Sequence, residues 1–160
     1  MGIDVKIVTE DREFKFRACG IICQDDKFLL VRIKDNNFYC LPGGHVELGE
    51  NTEHAVLREM KEETGYNLNI KKLLAVTENF YTGTDKKIWH ELAYYYLMEP
   101  LEPINTTNRT IIENDKGELK SLEFFWWDTN EELKLDIKPS FIKDKLKNRD
   151  YSLENNIISD

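Results

Sequence analysis

No run of this chain is apolar over the roughly 18 residues that a membrane-spanning helix needs, so a membrane protein of that kind is not expected. The first sixteen residues, MGIDVKIVTEDREFKF, carry charge throughout and lack the apolar centre of a secretion signal. Lys6 stands where a myristoylation motif wants Ser or Thr. Cysteine is scarce: Cys19, Cys23 and Cys40, an odd number with no C-x-x-C pair. That spacing excludes a disulfide framework and a zinc knuckle, and it points to small buried strand residues in a reducing cytoplasm. Basic residues are outnumbered, 22 against 30 acidic, for a net charge of −8. A nonspecific nucleic-acid binder depends on the opposite balance. Phosphate substrates stay open, because a metal ion can turn a carboxylate cluster into an anion site. Internal repeats and low-complexity tracts are also missing.

What is present fits one globular domain over residues 1–160, with 41% hydrophobic and 32% charged residues. EFKFRACGIICQ (13–24) and KFLLVRI (27–33) read as strands joined at Asp25-Asp26, a hairpin. FYCLP (38–42) is a short extended run into Gly43-Gly44. Asn51 is a good helix N-cap, residues 52–64 have helical periodicity, and Gly65 closes them. Residues 69–81, 87–98 and 121–128 read as strands. The polar segment 99–120, with two prolines, reads as a loop. Short helices are expected at 129–134 and 139–147. Strands in groups with helices between and after them predict an α/β fold, a mixed sheet with helices packed on it.

One stretch concentrates charge. GGHVELGENTEHAVLREMKEETGY (43–66) holds six glutamates. At about 100° per residue, Glu59, Glu62 and Glu63 fall on one side of the helix, and Leu57, Met60 and Thr64 on the other. Ala55 falls among the glutamates and is small enough to leave room for a ligand. Like charges at i,i+3 and i,i+4 destabilise a helix and raise one another's pKa. A divalent cation between them removes both costs, and hard oxygen ligands suit Mg²⁺ or Mn²⁺. A solvated acidic helix face is the other reading of E-x-x-E-E by itself.

The cluster has company. Gly44, five residues, Glu50, seven residues, then Arg58-Glu59-Met60-Lys61-Glu62-Glu63-Thr64-Gly65-Tyr66 resembles the Nudix box, G-x5-E-x7-R-E-U-x-E-E-x-G-U, where U is a bulky aliphatic residue. Every fixed residue stands at its spacing; Tyr66 replaces the usual Ile, Leu or Val. The resemblance implies the family's α/β/α sandwich and a loop–helix–loop that holds divalent metal against a diphosphate. By that resemblance Glu59, Glu62 and Glu63 are metal ligands. One of them, or a carboxylate outside the box, activates the attacking water. Arg58 orients the neighbouring glutamates, Glu50 supports them, and Gly43 and Gly44 let the backbone approach metal or phosphate.

Family members often add a carboxylate from outside the box. Glu91, Glu118 and Glu123 are the candidates, with Glu123 the one assigned as a further metal ligand because Glu123-x-x-Trp126 is similar to a late strand motif of the family. His90 divides between a site residue and a solvent-facing strand residue. Tyr81, 16 residues after Gly65, falls near a tyrosine of the family's diadenosine polyphosphate hydrolases, and no proline of the ADP-ribose pyrophosphatase type stands there. Strand parity places Trp127 with Glu123, so Tyr81 and Trp127 are the expected substrate-binding aromatics.

The resemblance implies a Mg²⁺- or Mn²⁺-dependent hydrolase of a nucleoside diphosphate linked to another group. The alternatives are an inactive nucleotide sensor on the same fold and a pyrophosphohydrolase of RNA 5′ ends, which the acidic surface disfavours. The expected partner is a small-molecule nucleotide rather than nucleic acid or a membrane, with a homodimer left open. A shared cation gives one expected outcome: adding Mg²⁺ or Mn²⁺ to the metal-free protein raises its Tm by mass action. A Glu62→Gln, Glu63→Gln double variant loses most of that rise, and an equal rise in both proteins would contradict the shared site.

Overall fold

The computed structural model describes residues 2–83, 85–115 and 117–159. In chain order the elements are β1 (Lys6–Val8), β2 (Arg12–Gln24), β3 (Lys27–Ile33), β4 (Phe38–Tyr39), β5 (Gly43–His45), α1 (Thr52–Thr64), β6 (Leu68–Thr82) and β7 (Ile88–Pro100). β8 (Arg109–Asp115), β9 (Glu118–Asp128), β10 (Asp136–Ile137), α2 (Phe141–Lys147) and β11 (Glu154–Ser159) complete the chain.

β2 is the trunk of the sheet. One edge pairs in parallel with β7 from Arg12↔Ile88 to Ile22↔Met98. The other edge takes β1, then β5, then β3 in succession. The turn between β2 and β3 has positive φ at both Asp25 (51°) and Asp26 (64°), the backbone of a tight I′ hairpin that aspartate tolerates. The strand order is β11-β6-β7-β2-β3-β9-β8, a mixed sheet with β11 parallel to β6.

Alternation along the strands sends side chains to two cores. Ala18 and Ile22 of β2, Leu29 and Val31 of β3, and Tyr96 and Met98 of β7 pack with Ala55, Val56 and Met60 of α1. Their neighbours Cys19 and Ile21, Phe28 and Leu30, and Tyr95 and Leu97 pack with Ile142 and Leu146 of α2. The molecule is therefore a sandwich with a helix on each face, as the sequence predicts.

Two expectations need correction, and one strand was not foreseen. Residues 109–115 form a strand rather than loop: Thr110, Ile111 and Ile112 pair with Glu123, Leu122 and Ser121, and Ile111 packs on the first core. The prolines break only the start of that segment. Residues 129–134 are not helical. Asp128 Oδ1 accepts from the Asn130 backbone N–H at 2.9 Å, and the Glu131 N–H donates to the Asp128 carbonyl, so a turn competes out the helix. Beyond α2, the sequence 154–159 adds a parallel edge strand. Its start is anchored by the buried Lys145, whose Nζ donates to the Ser152 carbonyl (2.7 Å) and Glu154 Oε1 (2.9 Å).

Candidate active site

α1 forms where the sequence predicts it. Asn51 Oδ1 accepts from the His54 N–H at 2.8 Å, and Gly65 ends the helix by donating to the Lys61 carbonyl. Its faces differ from the simple two-sided reading. Ala55 and Val56 are fully buried, so the gap expected at Ala55 is filled by core, while Leu57 is 37% exposed. The apolar stripe adjoins the glutamates instead of opposing them. Glu59 and Glu63 turn inward at its border, and Glu62 stays outside with 61% of its side chain exposed.

The loop before the helix meets these carboxylates. The Gly43 N–H donates to Glu63 Oε2 at 3.0 Å. Gly43 has φ 151°, and a Cβ there would strike the Ala18 carbonyl and Cys19. A Cβ on Gly44 would strike the Glu59 carboxylate. Two glycines in sequence thus let the backbone lie directly on the acidic edge of the helix.

Arg58 ties loop and helix together. Its Nε and Nη2 fork onto Glu50 at 3.0 and 2.8 Å, Nη1 reaches Glu59 Oε1 at 2.7 Å, and Nη2 also donates to the His45 carbonyl at 3.0 Å. Glu62 Oε2 lies 3.6 Å from Nη1. Glu50 accepts in addition from the Glu47 N–H, and its carboxyl is held below the usual range chiefly by the Arg58 hydrogen bond. Burial raises the Glu59 carboxyl, with Arg58 opposing. Burial pushes Glu63 up to about 8, with the Arg17 charge opposing and Glu59 and Glu113 adding to the rise.

The other predicted residues lie as follows. Glu123 pairs with Arg32, whose Nε is 2.7 Å from its Oε2, on the wall of a cavity of about 380 Å³ that Tyr39, Arg109 and Phe125 also line. Trp127 is 1% exposed, packs in the second core, and donates from Nε1 to the Glu131 carbonyl at 3.0 Å. That corrects its expected role, since no face of the ring is open to a nucleobase. Tyr81 is half-buried and stacks on Trp89 with centroids 5.9 Å apart; Lys15 Nζ lies 3.6 Å over the Trp89 ring. Glu91 is 7% exposed and faces Arg17. Glu118 is exposed at the β8–β9 turn. His90 is stacked on Phe80 at 4.3 Å. Cys19 and Cys40 are pushed up to about 12 and 11 by burial, which leaves both thiols inert. Cys23 and Cys40 are half-buried rather than buried.

Sequence reasoning missed Arg17 and Glu113. Neither belongs to a local motif, and Glu113 lies in the segment read as loop.

Among the described residues, no three His, Cys, Asp or Glu side chains are drawn close enough to enclose a metal ion. The donor set still fits a hard divalent cation. Two inward carboxyls are held above their usual range by burial, beside a backbone with no Cβ in the way. A cation against those oxygens reverses the rise.

Fold and site together define a class: an α/β/α sandwich presenting a glutamate-edged helix under a glycine loop. The NUDIX domain profile matches residues 14–147, and the chain belongs to that family. It is 53% identical over 60 residues to an ADP-ribose pyrophosphatase of Methanocaldococcus jannaschii, a stretch that is 36% of each chain. It is 31% identical over 90 residues to an ADP-ribose pyrophosphatase of Bacillus subtilis, covering 52% of this chain and 46% of that one. The matched stretch is thus about a third to a half of these relatives' lengths. A Nudix hydrolase structure from Nitrosomonas europaea superposes with TM-score 0.61 at 16% identity, over 96% of this chain and 81% of that one. A UDP-X diphosphatase structure superposes with TM-score 0.57 at 19% identity, over 94% and 69%. Those two likenesses concern the fold.

The Glu63 shift has a consequence for stability. Its carboxyl titrates at about 8 when folded against 4.5 ordinarily, so the folded state holds a proton that the unfolded chain has released. The stability this group contributes is full below pH 4.5 and is lost as pH rises through about 8. In chelator, urea unfolding of the metal-free protein is expected to show falling stability across that window, and Glu63→Gln to flatten the fall. An equal fall in the variant would contradict the assignment.

Proposed function

We propose that this protein is a divalent-metal-dependent hydrolase of the diphosphate linkage in a nucleoside diphosphate joined to a second group, and that ADP-ribose is representative of its substrates. The observation that carries the reading is the pair of inward carboxylates, Glu59 and Glu63, held against Gly43-Gly44 with Arg58 bonded to Glu59. The names of the two curated relatives support the substrate class.

Glu59, Glu62 and Glu63 would hold the metal, Mg²⁺ or Mn²⁺. When bound, such an ion lowers the pKa of a coordinated water and neutralises charge on phosphoryl oxygens. Arg58 keeps Glu59 ionised and oriented. Gly43 and Gly44 let the diphosphate approach without a side chain in its path. The attacking water gives its oxygen to one phosphorus, the P–O–P bridge breaks, and the water's proton passes to a box carboxylate. ADP-ribose then yields AMP and ribose 5-phosphate. Tyr81, stacked on Trp89 and close enough to Glu91 and Arg17 to feel their charge, is the substrate-facing aromatic of this proposal. Trp127 has no part in it, and Glu123 is engaged by Arg32.

The test is product identification by mass spectrometry in ¹⁸O water, with Mg²⁺ and a panel of ADP-ribose, nucleotide sugars, nucleoside triphosphates and diadenosine polyphosphates. AMP and ribose 5-phosphate, with one ¹⁸O in one of them, are expected. Glu59→Gln should lower kcat by roughly 10²-fold or more, the scale for removing one electrostatic contact of a transition state. Turnover of no member of the panel would contradict the proposal, and turnover that is equal in the variant would contradict the site.

A further inference from the structure

Arg17 belongs to no motif, yet it is built into the candidate site. It lies on β2 with Ala93 of β7 as its partner on one edge and His45 of β5 on the other. Its Nη2 donates to the Gly43 carbonyl at 2.6 Å. Its Nη1 lies 3.5 Å from Glu91 Oε2, and the two side chains are only 23% and 9% exposed. Gly43 in turn donates its N–H to Glu63 at 3.0 Å. The two peptides that meet at the Gly43 Cα are therefore each held, one by a guanidinium and the other by a carboxylate. Gly43 has little freedom to turn, because Ala18 and Cys19 lie directly behind it.

A charge-assisted donor on a carbonyl is stronger than a neutral one. Arg17 must nevertheless be aimed, and Glu91 is the group that aims it. Glu91 is thereby accounted for: it faces a cation of its own strand layer, and its carboxylate is not left unpaired in the interior.

We propose that Arg17 is a positioning residue for Glu63. By clamping the Gly43 carbonyl, with Glu91 orienting the guanidinium, it fixes the Gly43-Gly44 turn, so that the Gly43 N–H meets Glu63 and Gly44 lies flat beside Glu59. The consequence for catalysis rests on the hydrolase reading above. A misplaced ligand costs rate through geometry rather than through substrate affinity.

The experiment compares wild type, Arg17→Met, Arg17→Lys and Glu91→Gln. It reads kcat and KM on ADP-ribose with Mg²⁺ and amide hydrogen exchange by NMR. In Arg17→Met, kcat is expected to fall about 10²-fold while KM stays within about threefold. The Gly43 amide should exchange faster, and the Val56 and Met60 amides of α1 should keep their protection. Arg17→Lys, which supplies one donor nitrogen in place of two, should recover part of the loss.

A kcat within about threefold of wild type, or an unchanged Gly43 amide, would overturn the proposal. So would a loss borne mainly by KM, which would place Arg17 on the substrate itself. If wild type hydrolyses nothing, the hydrolase reading fails, and Gly43 exchange still decides the positioning. If Arg17→Met loses protection throughout α1, Glu91→Gln is the deciding variant. It should lower kcat about five- to tenfold with KM held, and no loss there would overturn the role.

Discussion

The Arg58 guanidinium is the contact on which the rest of the site depends. It forks onto Glu50, reaches Glu59, and donates to the His45 carbonyl. Loop and helix are bound through one planar cation, with a geometry that a lysine cannot reproduce. Without it, Glu59 and Glu63 would face each other across the helix border with burial raising both, opposed by the Arg17 charge and, at Glu63, by the Gly43 N–H. The acidic crowding is tolerable because a fixed positive charge sits inside it, and it remains incomplete because that charge satisfies Glu59 and leaves Glu63 high.

The sheet sets the stage for that arrangement. β2 carries β7 along one edge and passes the other edge from β1 to β5 to β3. β5 is the glycine loop itself, hydrogen-bonded to β2 at Cys19↔Gly43 and Ala18↔Gly44. The loop is therefore a strand of the sheet at one end and the roof of the glutamates at the other. α1 is held from beneath by Val56 and Met60 in the first core. A helix fixed by packing and a loop fixed by pairing leave the carboxylates few ways to move.

How much of this could be read from the chain follows from distance in sequence. The cap at Asn51, the stop at Gly65 and the box spacing are local, and all lie within residues 43–66 in the form expected. The β2–β3 hairpin is equally local. The strand at 109–115 exists because it pairs with 118–124, and prolines nearby masked its β-branched centre. The edge strand at 154–159 needs β6 and the buried Lys145, which nothing in ENNIIS announces. Strand parity puts Trp127 on the face of Glu123, and that parity holds; the second core covers the Trp127 end of that face, while Glu123 stands on a cavity wall against Arg32. Arg17 and Glu113 reach Glu63 from 46 and 50 residues away, which no periodicity reports.

The claim at the centre is that Glu59 and Glu63 face one cation beside Gly43-Gly44. The most direct measurement is a crystal soaked in Mn²⁺ and recorded for anomalous scattering. The account predicts a peak within coordinating distance of the Glu59 and Glu63 carboxylates, against the glycine loop. A peak instead at Glu123 and Arg32, or none beside the two glutamates at saturating Mn²⁺, would contradict it.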